Sequence, residues 1–486
     1  MKFLNVLCVL ALALCFMVSG AYAETQSVKV SGDLAIRGFY RDSYDYVSKP
    51  AEDVAAGLGT RTGIQQSNQD WIMSTAEVQV EADLTDNVQT VIRLANQRDW
   101  NVKAKNIQSD TTLAPNGLGG YTDNPDEFDV ELELAYVTLK DFIYSPLTVT
   151  IGRQNLWFGK GFIVGSNLNN TDPTGAIQAQ EYSVMTAFDA VKAVLDFDPW
   201  TITGVYSKIA ENAVQASDDV DLWGANVGYK FDSYKAEAEG YWFWKRDRSI
   251  EDWVGSKARN EVHTFGLRGS VDPIEAFTVA AEGAYQCGEY LGSRLQINDR
   301  SRSAWALDIS GECRYFTEKF AWKPKIGAEW VYYSGNKAEE SPAGAGGTFK
   351  GWDPMYRGKF DSAIREFVGK FYTTNQYPTR SGQLQSSADA SFTNQHQVIF
   401  VGSLQPVDSL TLKANYNLFW NAKQYIYNDS DSDGYVGSEI DLQANWDYTE
   451  DVSFGILAGW FFPGEVYGGG NDEVASDVVG TVKVSF

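Results

Sequence analysis

The chain has 486 residues, a formal net charge of −24 and a mean hydropathy of −0.30. The acidic balance argues against nucleic acid as a partner, because nucleic-acid binding needs a basic face. Aromatic residues make up 14% of the chain and glycines number 44, which favours many strands and turns over helices.

Residues 1–23 have the three parts of a secretory signal peptide. Lys2 supplies the positive start, residues 3–18 the apolar centre, and Ala21-Tyr22-Ala23 the small-x-small cleavage site. We expect cleavage before Glu24; the alternative is a retained anchor helix. No later stretch reaches about 18 consecutive apolar residues, so the sequence predicts no transmembrane helix.

Eighteen later stretches alternate between apolar and polar residues, which predicts strands with one apolar and one polar face. They cover 28–38, 71–84, 87–98, 128–139, 147–155, 187–196, 200–208, 221–231, 233–244, 261–271, 276–287, 303–316, 319–333, 395–405, 409–420, 436–447, 451–461 and 476–486. Most are near the ~9–11 residues that a tilted strand needs to cross a bilayer.

Short and long connections alternate along the chain. Short turns such as Thr85-Asp86 and Thr317-Glu318 lie between long connections such as 39–70 and 334–394. We therefore predict an all-β fold in which residues 24–486 form one transmembrane antiparallel barrel of eighteen strands, with short periplasmic turns and long extracellular loops. The predicted location is a Gram-negative outer membrane. A soluble β-sandwich or two tandem jelly rolls are the alternatives.

The two faces of the predicted strands differ in charge. Apolar residues such as Leu132, Leu134 and Tyr136 are predicted to face lipid, where an Arg or Lys would cost about 2–4 kcal/mol at mid-membrane. Charged residues are therefore predicted to line a wet lumen, among them Glu131, Glu133 and Arg314 as selectivity candidates. Alternatively, opposite charges pair across strands and hold the wall in shape.

The longest connection, 334–394, combines glycines with many aromatic residues. A purely solvated loop would not carry so many aromatics, so we predict that it packs over or into the mouth as a constriction. The cations Arg357, Lys359, Arg365 and Lys370 would then line the pore. The alternative places this loop on the outer rim.

The only metal candidate resembles the start of a calcium-binding EF-hand loop. Asp429, Asp431 and Asp433 occupy positions 1, 3 and 5 of that pattern, but position 12 is Ile440. A weak Ca²⁺ site and a plain polar loop are the two interpretations, and no other cofactor is predicted.

Cysteine and histidine give little support for other chemistry. Cys8 and Cys15 leave with the signal peptide, while Cys287 and Cys313 lie near neighbouring strands, so a disulfide between them stays open. Catalysis would rest on His263 or His396, and no GxSxG motif accompanies either of them. We predict that the protein is not an enzyme.

Three short motifs resemble those of the alginate export family of outer-membrane barrels: GRQ-x-x-x-x-G at 152–159, GSEIDL at 437–442 and GWFFPG at 459–464. The resemblance implies a passive conduit for an acidic exopolysaccharide, with lumenal Arg and Lys that attract the polyanion and with periplasmic export partners. Arg153 is the best position to carry over, with Arg93, Arg268 and Arg314 as inward-facing candidates. Strict alternation points it outward, so a bulge near Gly152 is needed to turn it inward.

We therefore predict an outer-membrane channel for passive passage of a hydrophilic solute or an acidic polysaccharide, in contact with outer-membrane lipid and lipopolysaccharide. The predicted lumen has slightly more Asp and Glu than Lys and Arg, which favours a second interpretation, a general or cation-preferring porin for small solutes. A non-conducting surface adhesin or structural barrel is the interpretation from a different class.

Overall fold

The computed structural model describes residues 27–44, 46, 69–100, 129–168, 177–211, 219–248, 260–290, 300–317, 319–337, 347–368, 377–378, 384–385, 392–423, 434–467 and 472–486. The predicted signal peptide and the three candidate calcium ligands lie outside these residues. Within them, no helix has the length and apolar character needed to cross a membrane.

Twenty strands are present in the described part of the chain. They are β1 (Ser27–Asp42), β2 (Gln69–Thr85), β3 (Val88–Asp99), β4 (Glu131–Leu139), β5 (Leu147–Gln154), β6 (Phe188–Asp196), β7 (Trp200–Ala210), β8 (Val220–Phe231), β9 (Ala236–Asp247), β10 (Asn260–Ile274), β11 (Phe277–Tyr290), β12 (Arg300–Cys313), β13 (Lys325–Tyr333), β14 (Tyr377–Pro378), β15 (Leu384–Gln385), β16 (Gln395–Val407), β17 (Leu410–Asn421), β18 (Tyr435–Asp447), β19 (Val452–Pro463) and β20 (Ala475–Ser485).

Eighteen of these strands form one closed antiparallel barrel, which confirms the predicted fold class and strand number. Each barrel strand pairs with its neighbours in sequence, and β1 pairs with both β2 and β20. Phe486 and Gly32 exchange two backbone hydrogen bonds of 2.9 and 3.0 Å at this seam. The short β14 and β15 pair only with each other.

The alternation of residues along the strands sets the two faces of the wall. On β1, Val28, Val30 and Leu34 are exposed on the outer face, as predicted. On the inner face, Asp33 lies opposite Glu77 of β2 in the ladder. Period-two patterning therefore predicted most of the facing correctly.

A bulge in β4 overturns part of the predicted facing. The ladder between β3 and β4 shifts between Arg93 and Leu94, so that Glu133 is the extra residue. Leu134 is consequently buried on the inner side, and Tyr136 lies opposite the inward-facing Val91. The prediction that Leu134 and Tyr136 face lipid is wrong, because a bulge exchanges the two faces of the strand beyond it.

The connection between β12 and β13 is longer than predicted. Instead of a tight turn at Thr317, the strands end at Cys313 and resume at Lys325. Phe320 N–H donates to the Phe316 carbonyl, which curls this stretch into local turns. Pro324 has no N–H to give to the ladder, which explains the late start of β13.

Candidate functional site

Two connections enter the barrel and contact each other inside it: the 155–168 segment, which follows β5, and the 347–368 segment, which precedes β16. Tyr356 N–H donates to the Ile163 carbonyl at 3.0 Å, and Gly165 N–H donates to the Tyr356 carbonyl at 2.7 Å. Val164 and Tyr356 are both buried in a core that includes wall residues such as Phe243. The backbone pairing makes the two segments one layer across part of the lumen.

The 347–368 segment is fastened to β9 and β11 through Asp353. Lys245 Nζ lies 3.2 Å from the Asp353 carboxylate, and Gln286 Nε2 donates to the Asp353 carbonyl at 2.7 Å. Burial alone would raise the pKa of Asp353, but Lys245 and Arg302 outweigh it and hold the pKa below its usual value. Asp353 is therefore a buried, ionised anchor.

Lys359 fastens the same segment to β12 and β13. Its Nζ lies 2.8 Å from Asp308 and also contacts Glu329, while Asp361 lies 3.4 Å away within the segment. Burial opposes the charge, but these carboxylates raise the pKa of Lys359 above its usual value. Lys359 thus lies on the inner side of the barrel, with its charge balanced by the wall.

Arg357 is nearly inaccessible to solvent. Its guanidinium lies 3.0 Å from Asp361 and 3.6 Å from Glu366, and it lies over the rings of Phe162 and Phe392. A cation this well covered by rings and carboxylates supports the layer. It offers no free charge to a passing anion.

The far end of the segment is bound by two carboxylates of β18. The backbone N–H groups of Ile364 and Arg365 donate to Glu439 at 2.6 and 2.9 Å, and that of Ala363 donates to Asp441 at 3.3 Å. The Arg365 side chain is fully buried, so the prediction that it lines a pore is wrong. It donates to Gln395 of β16 instead, at 2.9 Å. Lys370 lies outside the described residues.

A third stretch, residues 177–187, covers the inner wall near β1 and β20. Glu181 is buried and contacts Arg41 of β1, which also lies 3.1 Å from Asp477 of β20. Burial raises the pKa of Glu181 to about 7. The Tyr182 ring packs edge-on against Phe367 at 5.3 Å, so this stretch touches the 347–368 segment.

Most of the predicted lumenal residues lie on the inner wall, where each cation is paired. Arg93 lies 3.4 Å from both Glu77 and Glu133. Arg268 lies 2.6 Å from Glu237 and also contacts Glu239.

Two further candidates lie near the ends of the barrel. Glu131 is the first residue of β4 and lies opposite the inward-facing Ala95 in the ladder. Arg314 lies in the turn after β12 and contacts Asp272 at 3.1 Å. The candidates are therefore spread along the wall and do not form one cationic cluster.

Arg153 does not face the lumen, which corrects the position carried over from the family resemblance. The ladders on both sides of β5 keep a regular register through Gly152, which has a φ of +122°. Arg153 lies opposite Asp189, which is exposed, and the guanidinium of Arg153 lies 3.2 Å from the Asp189 carboxylate. A side chain at Gly152 would collide with the Ala135 carbonyl, which explains the glycine. The expected bulge occurs one strand earlier, at Glu133.

Arg153 instead begins a row of charges on the outer face. The residues of this row face one another in register on consecutive strands from β5 to β10: Arg153, Asp189, Lys208, Asp221, Arg246 and Glu261. Two residues along each strand, an outward aromatic row contains Tyr206, Trp223, Trp244 and His263. Aromatic rows of this kind mark the membrane interface of barrels.

Both histidines lie among aromatic rings on the outer face. His263 stacks on Trp244 with 5.3 Å between ring centroids, and His396 stacks on Trp330 at 6.0 Å. Cys287 lies opposite Ser303 and Cys313 opposite Phe277, at the two ends of the same pair of strands. This register excludes a disulfide between the two cysteines within the chain.

Several residues that hold the inner layer in place were not predicted in that role. Asp353 and the Arg41–Glu181 pair are buried and belong to no motif, whereas Glu439 and Asp441, which are also buried, entered only as part of the GSEIDL motif. The inward position of Glu439 and Asp441 could have been read from the sequence, since both residues lie on the polar face of a predicted strand. The partners of Asp353 and Glu181 come from distant connections, and no local pattern shows them.

A closed eighteen-strand barrel with a charged lumen, an aromatic outer belt and inserted connections defines the class of outer-membrane channels. The family model for alginate export matches residues 51–481. The chain belongs to the alginate export family, which confirms the resemblance read from the motifs. It is an outer-membrane channel of the Gram-negative type for passive passage of a hydrophilic solute, and family and fold point to a channel rather than an enzyme.

Solved porins share this fold at low sequence identity. The chain is similar to OccK9 (OpdG) of Pseudomonas aeruginosa, with a TM-score of 0.54, 11% identity and coverage of 96% of this chain and 100% of that chain. It is also similar to OccAB1 of Acinetobacter baumannii, with a TM-score of 0.51, 11% identity and coverage of 96% of this chain and 99% of that chain. For P. aeruginosa OccK2 (OpdF), solved in complex with glucuronate, the TM-score is 0.50 and the identity 9%, and the match covers 95% of this chain and 98% of that chain. No curated protein matches the chain.

Proposed function

We propose that this channel passes small hydrophilic solutes and prefers cations to anions. The observation that carries the proposal is the pairing of lumenal charge. Each of Arg41, Arg93, Arg268, Arg357 and Lys359 contacts at least two carboxylates of the wall or of the inner segments. An anion meets no surplus of positive charge at these places, and the predicted excess of lumenal Asp and Glu over Lys and Arg favours cations.

The inner segments support the proposal that only small solutes pass through the lumen. They fill part of the lumen and are fastened to β9, β11, β12, β13 and β18 by buried ion pairs and hydrogen bonds. A constriction tied down at so many points acts as a fixed filter, since moving it would break several buried contacts together. Passage is then diffusive, and selectivity comes from the width and charge of the remaining space.

Export of an acidic polysaccharide is the second candidate, and the family match is the observation that favours it. This function would add periplasmic partners that deliver the polymer. Lipopolysaccharide would contact the outer charged row under either function, because that row lies just beyond the aromatic belt.

The reversal potential of the purified channel in a planar bilayer under a salt gradient separates the two candidates. Cation selectivity supports the small-solute proposal, and anion selectivity overturns it in favour of the polyanion conduit. Arg93→Gln should increase the preference for cations, because it leaves Glu77 and Glu133 without their shared partner. Lys319→Gln, a change in an exposed periplasmic turn, is the matched control.

A further inference from the structure

A cavity of about 240 Å³ lies between the 347–368 segment and the inner wall of β17, β18 and β19. It opens toward the half of the lumen nearer the short turns, since its wall residues Lys413 and Gln443 come from those halves of β17 and β18. Ala363 and Asp441, whose hydrogen bond helps to anchor the segment, are among its lining residues.

One side of the cavity is aromatic. Phe360 and Phe367 both line it and pack edge-to-face, with ring centroids 5.0 Å apart and planes at 67°. Both side chains keep part of their surface exposed. The two ring surfaces meet at a steep angle and form an apolar corner against which the face of another ring can pack.

The opposite side is polar and holds a hydrogen-bond acceptor without a donor. The carboxyl group of Asp441 is 4% exposed and already engaged, since it accepts from Ala363 N–H and Asn417 Nδ2 and shares a hydrogen bond with Glu439. The Oδ1 of Asn415 has no hydrogen-bond partner among the described residues. A buried acceptor without a donor costs about 1–3 kcal/mol, so hydroxyl groups of a ligand would be favoured.

The charge around the cavity disfavours an anion. Asp361 and Asp441 line it and Glu439 lies beside Asp441 on the same strand face, while Lys413 is the one cation among its lining residues. Because Arg357 and Lys359 already contact Asp361, the main cost for a carboxylate in this space is the loss of its hydration with only Lys413 as a partner. The ammonium of Lys413 can donate to a hydroxyl oxygen equally well.

We propose that this cavity is a binding subsite for one ring of an uncharged polyhydroxylated solute, a neutral pyranose, and that it discriminates against the corresponding uronate. The ring face packs on Phe360 and Phe367, and its hydroxyl groups donate to Asn415 and accept from Lys413. This inference deepens the proposed function and rests on it, because the solute must reach the lumen.

The test is block of the single-channel current by glucose or by glucuronate in a planar bilayer. We expect glucose to bind at least about tenfold more tightly than glucuronate, a difference of about 1.4 kcal/mol. Phe367→Leu should weaken glucose binding by roughly threefold to tenfold, the size of one ring contact. Phe400→Leu, on the lipid-facing side of β16, is the matched control and should leave glucose binding unchanged.

Charge discrimination is tested with Asp441→Asn, which should reduce the ratio of glucose affinity to glucuronate affinity. Asp408→Asn, in an exposed turn, is the matched control and should leave this ratio unchanged. Because Asp441 also accepts Ala363 N–H, Lys413→Met serves as a second variant and should weaken glucose binding. Equal block of the wild type by both sugars overturns the inference, as does equal loss of glucose binding in Phe367→Leu and Phe400→Leu.

The inference and the proposed function can fail separately. A cation-selective current without block by glucose overturns the inference alone. A protein that carries no current overturns the proposed function, and calorimetry of glucose binding to the detergent-solubilised protein then decides the inference: binding that Phe367→Leu weakens supports it, and no binding overturns it.

Discussion

The ammonium of Lys359 lies 2.8 Å from the carboxylate of Asp308, in a lumen where both side chains are largely buried. Glu329 and Asp361 complete the cluster around this lysine. One connection of the barrel is thereby bound to β12 and β13 through a single cation. Several consequences of this fastening can be measured.

Replacing Lys359 by Met should release the 347–368 segment and raise the single-channel conductance. The change leaves Asp308 and Glu329 buried without their partner, and breaking a buried pair in this way costs about 3–5 kcal/mol. Conductance in a planar bilayer and the melting temperature are the two measurements, with Lys319→Met in an exposed turn as control. A variant with unchanged conductance and melting temperature would show that Lys359 does not hold the segment.

Docking of the 347–368 segment should weaken as the pH rises. Burial raises the pKa of Glu366 to about 7, with the nearby Asp361 adding to the shift and Arg357 opposing it. In the docked segment Glu366 keeps its proton where a free carboxyl has lost it, so docking is favoured below about pH 4.5 and loses this contribution as the pH rises to about 7. Hydrogen exchange of residues 360–368, corrected for intrinsic rates, should therefore be faster at pH 8 than at pH 5.

Glu366→Gln provides the control for this pH dependence. The amide oxygen can still accept the N–H groups of Asp361 and Ser362, which donate to Glu366 at 2.6 and 3.0 Å. The exchange rates of the variant should differ less between the two pH values than those of the wild type. If wild type and variant respond equally to pH, another group is responsible.

Arg153→Gln should leave the ion selectivity of the channel unchanged. Arg153 lies on the outer face beside Asp189, whereas Arg93 lies on the inner face beside Glu77 and Glu133. Reversal potentials of Arg153→Gln and Arg93→Gln measured together compare an outward with an inward arginine. A shift in Arg153→Gln as large as that in Arg93→Gln would place Arg153 in the conduction path.

The folded protein should contain two free thiols. Cys287 and Cys313 lie at opposite ends of the β11 and β12 pair, too far apart to be bridged. Alkylation under denaturing, non-reducing conditions followed by mass measurement should find both cysteines of the mature monomer modified. A monomer that takes up the label only after reduction would contradict the register of β11 and β12.

The wall of the barrel could be predicted from the sequence because period-two patterning and turn chemistry are local. Strand number, closure and the inward position of Arg93 and Arg268 all followed from such patterns. Whether Leu134 and Tyr136 point toward lipid or toward the lumen could not be predicted, because no Gly, Pro or Asn marks the bulge at Glu133 in the sequence.

The inner layer was only partly accessible to the same reasoning. The aromatic content of 334–394 indicated a packed loop, and Lys359 was identified as a cation within it. The sequence did not show that Arg365 would be buried or that Asp353 would be an anchor, because their partners Gln395, Lys245 and Gln286 lie far away in the chain. Pairing between distant connections depends on the closed barrel that brings them together.

We expect the inserted segments to set the passage through the lumen. The single-channel conductance of a variant in which residues 358–367 are replaced by a glycine-serine linker of equal length measures this. Retained heat-modifiable migration on gels would establish that the barrel is intact. We predict a several-fold higher conductance with weaker ion selectivity. An intact barrel with the conductance and selectivity of the wild type would show that the inserted segments do not limit the passage.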